Sequence, residues 1–482
     1  MLVTHRRTGD QRCKARTRGA EEGHCCGSLV EGERRCGSLQ SQHKCVVVFA
    51  LVCCCAVLIA LIFSAVDVWG DEEESFNEGQ CGRSCRVLLL ENIPEDVSLP
   101  YEDSVSLRSA LGDLLDQARR SVEIVSPRWT LNSSDQTHLA QARQGQLLLH
   151  QLISLRSRSV SVRVVSGLSN SSELNTLARR GADVHYLNMK TLTKGELSSS
   201  FWIVDRKHLY MGSAGMDWRS LSTMKEFGLV LLDCSCLVAD LHRVFSLYWQ
   251  LQYKEFVPSL WSKKLSALTS RDQNLRLQLD DTEAQVYIST SPDVFCTRER
   301  TKDLEAISRV IQEAQSFIYI SIPDYLPLLN RSQLRYWSGI DSMLREALLV
   351  KSGISVRVLV SCWTHTHPLT HNTLWSLQNL CFQTLSCSVE ARFFSLPQPD
   401  TLNRSRFVLT DTSLYIGSQS WMGSEFVSSA GVGLVIRQQQ QGNSSSVLQR
   451  IRAVFDRDWH SQYSRPLHTT HSPACTAHTH SD

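Results

Sequence analysis

Two copies of one structural unit lie in tandem between residues 114 and 463, and no other feature of the sequence constrains the fold as strongly. Four segments of the first copy recur in the second in the same order, which chance similarity does not produce. In each copy a helical pattern leads into a β-rich strand, and further strands alternate with helical stretches. The matched pairs are LLDQARRSVEIVSPRW with VIQEAQSFIYISIPDY, SVRVVSG with SVRVLVS, FWIVDRKHLYMGS with FVLTDTSLYIGS, and VFSLYWQLQY with VFDRDWHSQY, which begin at residues 114 and 310, 161 and 355, 201 and 407, and 244 and 454.

The duplicated pattern predicts an α/β fold. Strands rich in Val and Ile that alternate with helices are typical of sheets buried between helices. We therefore predict two tandem α/β sandwich domains related by a pseudo-twofold axis, so that a site using both copies would lie at their interface. The predicted boundaries are 1–44 for an N-terminal tail, 45–66 for a membrane helix, 67–85 for a stalk, 86–253 for the first domain, 254–283 for a linker, 284–465 for the second domain and 466–482 for a C-terminal tail.

Composition excludes several other classes of protein. Of the 482 residues, 42% are hydrophobic and 20% are charged, which excludes a disordered, collagen-like or simple coiled-coil chain and leaves ample material for a core. The formal net charge is +2. Without a basic excess, charge gives no reason to expect a specific nucleic-acid partner.

The third matched pair of segments carries the residues of chemical interest. Each copy has an Asp on a strand, Asp205 or Asp411, followed by a Gly-Ser pair at 212–213 or 417–418. These segments resemble the two active-site segments of the phospholipase D superfamily, and most closely its lumenal type II membrane branch, which includes exonucleases of single-stranded nucleic acid. The resemblance implies a His-x-Lys-x4-Asp motif in each copy. One His would attack phosphorus, the other would protonate the leaving oxygen, and the two Lys would hold the phosphate oxygens.

Both motif histidines are missing from this chain, and no His-x-Lys occurs anywhere in it. A serine is a weak nucleophile without an adjacent base, and an arginine with a pKa above about 12 cannot give and retake a proton. We therefore predict a catalytically inactive pseudoenzyme with a binding or scaffolding role and with no catalytic residue, metal or cofactor. The alternative is a lumenal phosphodiesterase of phospholipid or single-stranded nucleic acid with a non-standard nucleophile. The motif positions hold Ser198, Ser200 and Asp205 in the first copy and Arg404, Arg406 and Asp411 in the second.

Arg404 and Arg406 are the candidate anion-binding residues. Alternate residues of a strand point to the same side of a sheet, so if that side faces the old cleft, both guanidiniums could clamp a phosphate or carboxylate. The competing interpretation is that the arginines are solvated or paired with Asp205 and Asp411. These two aspartates are expected to hold strand ends rather than to act as catalysts. Asn403 begins a glycosylation sequon inside this motif, and a glycan there would crowd the cleft.

An apolar run at Cys45–Val66 predicts a membrane anchor. It has 22 residues without a charge, enough for a helix across the roughly 30 Å hydrocarbon core. The run is longer than the apolar part of a signal peptide and starts after 44 residues, which disfavours cleavage. Nine Lys and Arg precede it, whereas Asp67 and Asp71 follow, so the positive-inside rule predicts a single-pass type II protein with a cytosolic N-terminus.

Sequons and cysteines agree with a lumenal or extracellular location for residues 67–482. The endomembrane system (endoplasmic reticulum, Golgi or endolysosome) and the cell surface both fit. All predicted glycosylation sites, and nine cysteines that an oxidising compartment would largely pair, lie beyond the apolar run. The predicted glycosylation sites are Asn132, Asn170, Asn330, Asn403 and Asn443.

The resemblance also suggests how the cysteines pair. The pair Cys81 and Cys85 is expected to bond to the pair Cys234 and Cys236, which joins the stalk to the first copy. The resemblance further suggests a disulfide between Cys362 and Cys475. Cys381 and Cys387 would then pair locally, and Cys296 would be left as a free thiol. The expected partners are the membrane and an unidentified protein or anionic ligand in the lumen. The sequence does not decide between a monomer and a homodimer.

Overall fold

The computed structural model describes residues 46–58, 85–101, 103–133, 136–332, 334–381, 386–398, 400–438, 446–467 and 475. The chain divides into two compact units, Met1–Ser75 and Phe76–Asp482. In the first unit, residues 46–58 form helix α1 with exposed side chains. Among the described residues, no helix has both the length and the apolar character that a membrane span requires. Cys45 and residues 59–66 of the predicted membrane run lie outside the described residues.

The second unit contains two large mixed sheets. The first sheet has the strand order β2-β1-β10-β8-β7-β3-β5-β6, and β4 pairs with β9 beside it. Strand β3 (SVEIVS) is almost entirely buried, as expected for a strand covered on both faces. The strands are β1 Arg86–Asn92, β2 Ser104–Ser106, β3 Ser121–Ser126, β4 Trp129–Thr130, β5 Ser161–Gly167, β6 Asp183–Leu187, β7 Phe201–Val204, β8 His208–Gly212, β9 Met216–Asp217 and β10 Glu226–Leu232.

The second sheet repeats the first. Its order is β11-β12-β19-β18-β17-β14-β15-β16-β20, with β13 beside β12, so that β12, β19, β18, β17, β14, β15 and β16 correspond to β1, β10, β8, β7, β3, β5 and β6. The strands are β11 Leu275–Leu279, β12 Thr282–Ser291, β13 Thr301–Lys302, β14 Phe317–Ile322, β15 Ser355–Ser361, β16 Ser388–Phe394, β17 Phe407–Thr410, β18 Ser413–Gly417, β19 Gly431–Arg437 and β20 Ser464–Pro466.

Helices cover these sheets, and those of the two copies match. In α2 the buried residues recur at helical spacing, from Leu107 to Leu115, and α7 repeats the spacing from Asp303 to Ile311. Each copy closes with a long helix, α6 or α11. The helices are α2 Leu107–Gln117, α3 Leu139–Ser154, α4 Ser172–Arg179, α5 Met189–Leu192, α6 Ser235–Gln250, α7 Asp303–Glu313, α8 Gly339–Val350, α9 Leu369–Gln378, α10 Gly423–Ser428 and α11 Val447–His460.

The two copies share one hydrophobic core across their interface. The largest apolar cluster takes residues from both sheets and from both closing helices. Phe227 of the first copy and Phe407 of the second lie with ring centroids 5.1 Å apart. Because this apolar surface is buried only when the copies are together, they fold as one unit rather than as separable domains.

The predicted linker 254–283 is partly sheet. Strand β11 lies wholly inside it and pairs antiparallel with β12, which itself begins at Thr282. Residues 254–274 contain no strand, and their only helical turn is the 3₁₀ turn Lys263–Leu265. The sheet of the second copy therefore starts earlier than the pattern of repeated segments suggested.

Candidate functional site

The two degenerate motifs lie at the interface, each just before a central strand. Backbone hydrogen bonds join them in matched pairs. Ser198 N–H donates to the carbonyl of Ala430 at 2.8 Å, and Arg404 N–H donates to the carbonyl of Lys225 at 2.8 Å. Position 198 corresponds to 404, and 430 to 225, so these bonds are related by the predicted pseudo-twofold. The scaffold therefore still brings both motif segments to one cleft.

Among the residues that the structure describes, neither Ser198 nor Ser200 is hydrogen-bonded through its side chain to a histidine or a carboxylate. Ser200 is buried, and its hydroxyl donates to the carbonyl of Ala214 at 2.5 Å, which makes it a local structural contact. Ser198 is half-buried. The nearest downstream histidine, His208, lies beyond strand β7, where its Nδ1 accepts the Asp233 N–H at 3.1 Å. Burial lowers the pKa of His208 as well. This arrangement does not activate Ser198 as a nucleophile.

Arg404 of the second motif is held by a buried carboxylate of the first copy. Its Nη1 lies 3.3 Å from Oε1 of Glu226 and 3.2 Å from Oγ of Ser220. The Glu226 side chain is fully buried, and its Oε2 accepts a hydrogen bond from Ser213 at 2.6 Å. Glu226 thus links position 404 to the Gly-Ser pair of the other copy, and its charge balances that of the guanidinium.

Arg406 points into a buried polar region of the second copy. Its Nε donates to Oγ of Ser420 at 3.3 Å and its Nη1 to the carbonyl of Arg404 at 3.3 Å. Burial lowers the pKa of Arg406, although the charges of Glu425 and Glu226 act in the opposite direction. Burial also raises the pKa of Glu425, although the Ser420 N–H donates to that carboxylate. Each cleft arginine therefore faces an acidic partner from the protein itself.

The acidic partner of Arg404 has no counterpart in the other half. The position equivalent to Glu226 is Gly431, and a Cβ there would lie 2.1 Å from Nε2 of Gln419. Gln419 occupies this space and donates to Oγ of Ser291 at 2.7 Å. The cleft is consequently asymmetric, with its carboxylate–guanidinium pair on one side of the pseudo-twofold.

Asp205 and Asp411 bind backbone groups at the amino-terminal ends of β3 and β14, the antiparallel neighbours of β7 and β17. Asp205 accepts the N–H groups of Arg119, Arg120 and Ser121 at 2.8, 2.7 and 2.9 Å. Asp411 accepts those of residues 315 and 316 at 2.9 and 3.1 Å. Both carboxylates hold strand ends, in agreement with one interpretation of the sequence. Arg404 pairs with Glu226 rather than with Asp205 or Asp411.

Asn403 of the predicted sequon is buried in the folded chain. It is 2% exposed, its Nδ2 donates to Oγ of Ser321 at 3.4 Å and its Oδ1 accepts from Ser405. A glycan on this side chain would not fit the packing seen here, so glycosylation at Asn403 stays a prediction. Asn132 and Asn170 are exposed and Asn330 is half-buried, whereas Asn443 lies outside the described residues.

The structure forms three of the expected cysteine pairs. These are Cys85–Cys234, Cys362–Cys475 and Cys381–Cys387. Cys236 is also disulfide-bonded, and Cys81 lies outside the described residues. Cys296 is a free thiol, and burial raises its pKa to about 12, which makes it a poor nucleophile.

A cavity of about 450 Å³ opens beside the first motif, at the carboxyl ends of β3, β5 and β6. Arg128 and Lys190 supply positive charge to its lining, and Glu196 supplies negative charge. Leu197, which directly precedes Ser198, is also part of the lining, so the cavity adjoins the first motif.

Comparisons with known proteins agree with this architecture. The family profile described as “PLD3/4, PLD-like domain” matches residues 101–399, more than half of the chain. This chain belongs to the phospholipase D family. A solved structure of phosphatidylserine synthase from Haemophilus influenzae Rd KW20 shares the fold, with a TM-score of 0.51, 11% identity, and coverage of 75% of this chain and 85% of that one.

Relatives within the phospholipase D family fall into two groups by name. “Inactive phospholipase D5” of Mus musculus is 43% identical over 454 residues, which cover 91% of this chain and 84% of that protein. “5'-3' exonuclease PLD3” of Xenopus tropicalis is 36% identical, with coverage of 92% and 95%. Together with the loss of both motif histidines, the first likeness identifies this chain as a catalytically inactive family member, a pseudoenzyme.

Sequence reasoning did not identify Glu226 as a site residue. The signal available was the Lys225-Glu226 pair at the start of a strand that is otherwise apolar, with Ala and Gly at the matching positions of the second copy. Charged residues that begin a buried strand need partners, and a comparison of the two copies position by position would have singled them out.

Proposed function

We propose that this chain is a non-catalytic, membrane-anchored binding or scaffolding protein. In its degenerate active-site cleft, carboxylates of the protein itself balance the positive charge of the arginines. The observation that carries the proposal is the pair Arg404–Glu226, which joins the two copies where a family enzyme would need two imidazoles. A guanidinium with its charge balanced by a buried carboxylate has no proton to exchange near neutral pH.

A panel of phosphodiester substrates tests the loss of catalysis. Full-length protein is incubated with single-stranded DNA, single-stranded RNA and phosphatidylcholine vesicles, and products are measured over hours. We expect no turnover above the level of a buffer blank. Turnover that disappears in Ser198→Ala, but persists in Ser259→Ala at an exposed serine elsewhere, would establish the second candidate function, a lumenal phosphodiesterase with a serine nucleophile. Relatives named 5'-3' exonuclease are the reason to include that candidate.

The proposal includes a type II topology. The 22-residue apolar run, the basic flank before it, and the sequons and cysteines after it support an anchor at 45–66 with residues 67–482 in the lumen or outside the cell. In microsomes, glycosidase treatment should increase the electrophoretic mobility of the chain, and added protease should remove only the N-terminal tail. Digestion of the disulfide-containing part in intact microsomes would overturn this topology.

Residual anion binding is the ligand chemistry that we propose for the cleft. Arg404 and Arg406 can each offer a donor to a phosphate oxygen, but the internal carboxylates weaken the site. Calorimetry with inorganic phosphate should give weak, salt-sensitive binding that is lost in Arg404→Ala combined with Arg406→Ala. Equal binding by the native protein and by the double variant would remove the idea.

A further inference from the structure

The segment between the two copies exposes large apolar side chains in a short stretch. Tyr253, Phe256 and Leu260 are 90%, 70% and 87% exposed. We call residues 253–264 the projecting loop. Single exposed apolar residues are common on soluble proteins, but three within eight residues, all more than two-thirds exposed, mark an interaction surface.

The projecting loop is held firmly at its base. Val257 and Trp261 pack against the main hydrophobic core, and Leu265 is buried in it. The Trp261 indole Nε1 donates to the carbonyl of Val294 at 3.1 Å. Apolar side chains at 257, 261 and 265 therefore anchor the loop, while those at 253, 256 and 260 point outward. The outward position of the side chains at 253, 256 and 260 therefore follows from the way the fold anchors the loop.

The same loop carries an excess of positive charge. Lys254, Lys263 and Lys264 are exposed, and Glu255 is the one acidic residue between positions 251 and 267. Lysines beside protruding aromatic and aliphatic side chains form the pattern that binds a bilayer surface. The apolar groups enter the boundary between headgroups and acyl chains, and the ammonium groups remain at the anionic headgroups.

We propose that the projecting loop docks onto the membrane in which the chain is anchored. Three protruding side chains present far less area than the roughly 800 Å² per partner of a stable protein interface, whereas a fluid bilayer accepts protruding groups without a matching pocket. The inference rests on the proposed anchor. Residues 67–84 between the apolar run and the folded unit are 18 in number and span at most about 60 Å when extended. A chain of this length limits how far the folded unit can lie from an anchor at 45–66.

Depth-dependent fluorescence quenching tests the proposal on the full chain. Leu260→Trp places a reporter at the exposed tip, and Leu139→Trp places one at an exposed apolar position on α3. Both variants and the native protein are reconstituted into phosphatidylcholine vesicles, with and without phosphatidylserine, and quenched with brominated phosphatidylcholine. After subtraction of the native signal, we expect at least twofold greater fractional quenching at position 260 than at 139. Phe256→Ser should reduce quenching at 260, and Lys263→Gln with Lys264→Gln should reduce it only in vesicles that contain phosphatidylserine.

Three outcomes would overturn the proposal. Equal quenching at 260 and 139, with the chain retained in the vesicles after an alkaline carbonate wash, rejects docking and leaves the anchor intact. Release of the chain by carbonate rejects the anchor itself, and tethered docking with it. A third outcome combines equal quenching with a dimer, measured by light scattering in detergent, that Phe256→Ser dissociates. That outcome assigns the loop to contact with a second copy of the chain. Circular dichroism of each variant confirms that the fold is retained.

Discussion

Arg404 and Glu226 show what the cleft has become at the scale of single residues. Nη1 of Arg404 lies 3.3 Å from the Glu226 carboxylate, whose side chain is fully buried. Removing one member of such a pair is costly, because the other charge is then left without a counterion at the interface of the two copies. The cleft is therefore maintained as a structural contact although it has lost its acid and its base.

Removing the negative charge of this pair should strengthen anion binding. In Glu226→Gln the amide keeps the size and a hydrogen-bonding oxygen, but Arg404 is left without a counterion. We expect the affinity for inorganic phosphate to rise about tenfold, which corresponds to about 1.4 kcal/mol. Isothermal titration calorimetry at low salt measures it, with Glu283→Gln at an exposed position as the control. Unchanged affinity in Glu226→Gln would show that this carboxylate does not limit the site.

Asp205 should matter for stability and for nothing else. Its carboxylate accepts three backbone N–H groups, and the residue has a positive φ of 52°, a conformation that Asp and Asn tolerate better than other residues. We expect Asp205→Ala to lower the free energy of unfolding by about 2 kcal/mol, and Asp205→Asn by less. Thermal melting checks this. Asp113→Ala on the exposed face of α2 should change the melting temperature little, and an equal effect of the two alanine variants would contradict the assignment.

At the scale of elements, the two copies differ in the first residue of a matched helix. Helix α2 begins with the buried Leu107, whereas α7 begins with the buried Asp303 at the corresponding position. Ser289 and Ser291 of β12 donate hydrogen bonds to Asp303 at 2.6 and 2.9 Å. Burial nevertheless raises the pKa of Asp303 to about 6.

This carboxyl group should make the fold more stable in acid. Asp303 has an ordinary pKa of 3.8 when unfolded and about 6 when folded, so between these values the unfolded chain ionises while the folded chain keeps its proton. The contribution is fully present below about pH 4 and lost as the pH rises through about 6, and it amounts to about 3 kcal/mol. Denaturant unfolding of the native protein and of Asp303→Asn between pH 4 and 7 measures the difference. A difference between the two proteins that does not vary with pH would contradict the prediction.

The sequence predicted most elements because each is encoded locally. The segments at 161–167 and 355–361 are strands β5 and β15 with those same limits, since short Val-rich runs bounded by turns favour strands. Strand β11 was missed because its residues LRLQL lie in a polar stretch and have no repeated partner in the first copy. The order of strands within each sheet depends on contacts distant along the chain, which local patterns do not specify.

At the scale of the whole molecule, a buried network of four charges joins the beginning and the end of the folded chain. Lys225 Nζ lies 3.1 Å from Glu91 and 2.7 Å from Asp458, and Arg457 lies 2.7 Å from Glu91 and 2.6 Å from Asp458. Burial alone would raise the pKa of Glu91, but Lys225 and Arg457 hold it at about 2. The backbone of Lys225 also receives the Arg404 N–H, so this network supports the cleft.

Lys225→Met should destabilise the protein strongly. The substitution leaves two buried carboxylates with one cation, a situation that costs about 3–5 kcal/mol. Guanidinium denaturation should show a lower midpoint, and Lys225→Met combined with Asp458→Asn should recover part of the loss. Lys190→Met at an exposed position is the control. A double variant no more stable than the single one would argue that the network is not coupled.

The motif defined the register of the degenerate positions, whereas partners remote in sequence were not predicted. Counting back from Asp205 and Asp411 assigned positions 198 and 404, whose backbone N–H groups bond across the interface of the two copies. Glu226 and the network around Lys225 were not predicted, because Glu91 and Arg457 lie 366 residues apart in sequence. The burial of the Asn403 amide was likewise not predicted, because a sequon defines which residues are present and not whether they are exposed.

The ion pair between Glu91 of β1 and Arg457 of α11 determines when the chain can finish folding during synthesis. Glu91 leaves the ribosome 366 residues before Arg457, its partner in the completed fold. At about 5–20 residues per second, a nascent chain waits roughly 20–70 s with this acidic group unpaired. A message cut short after the first copy would therefore yield the first sheet without its partner copy, so that the apolar surface of their shared core is exposed. We expect such a product to be bound by chaperones and degraded rather than to form a smaller working protein.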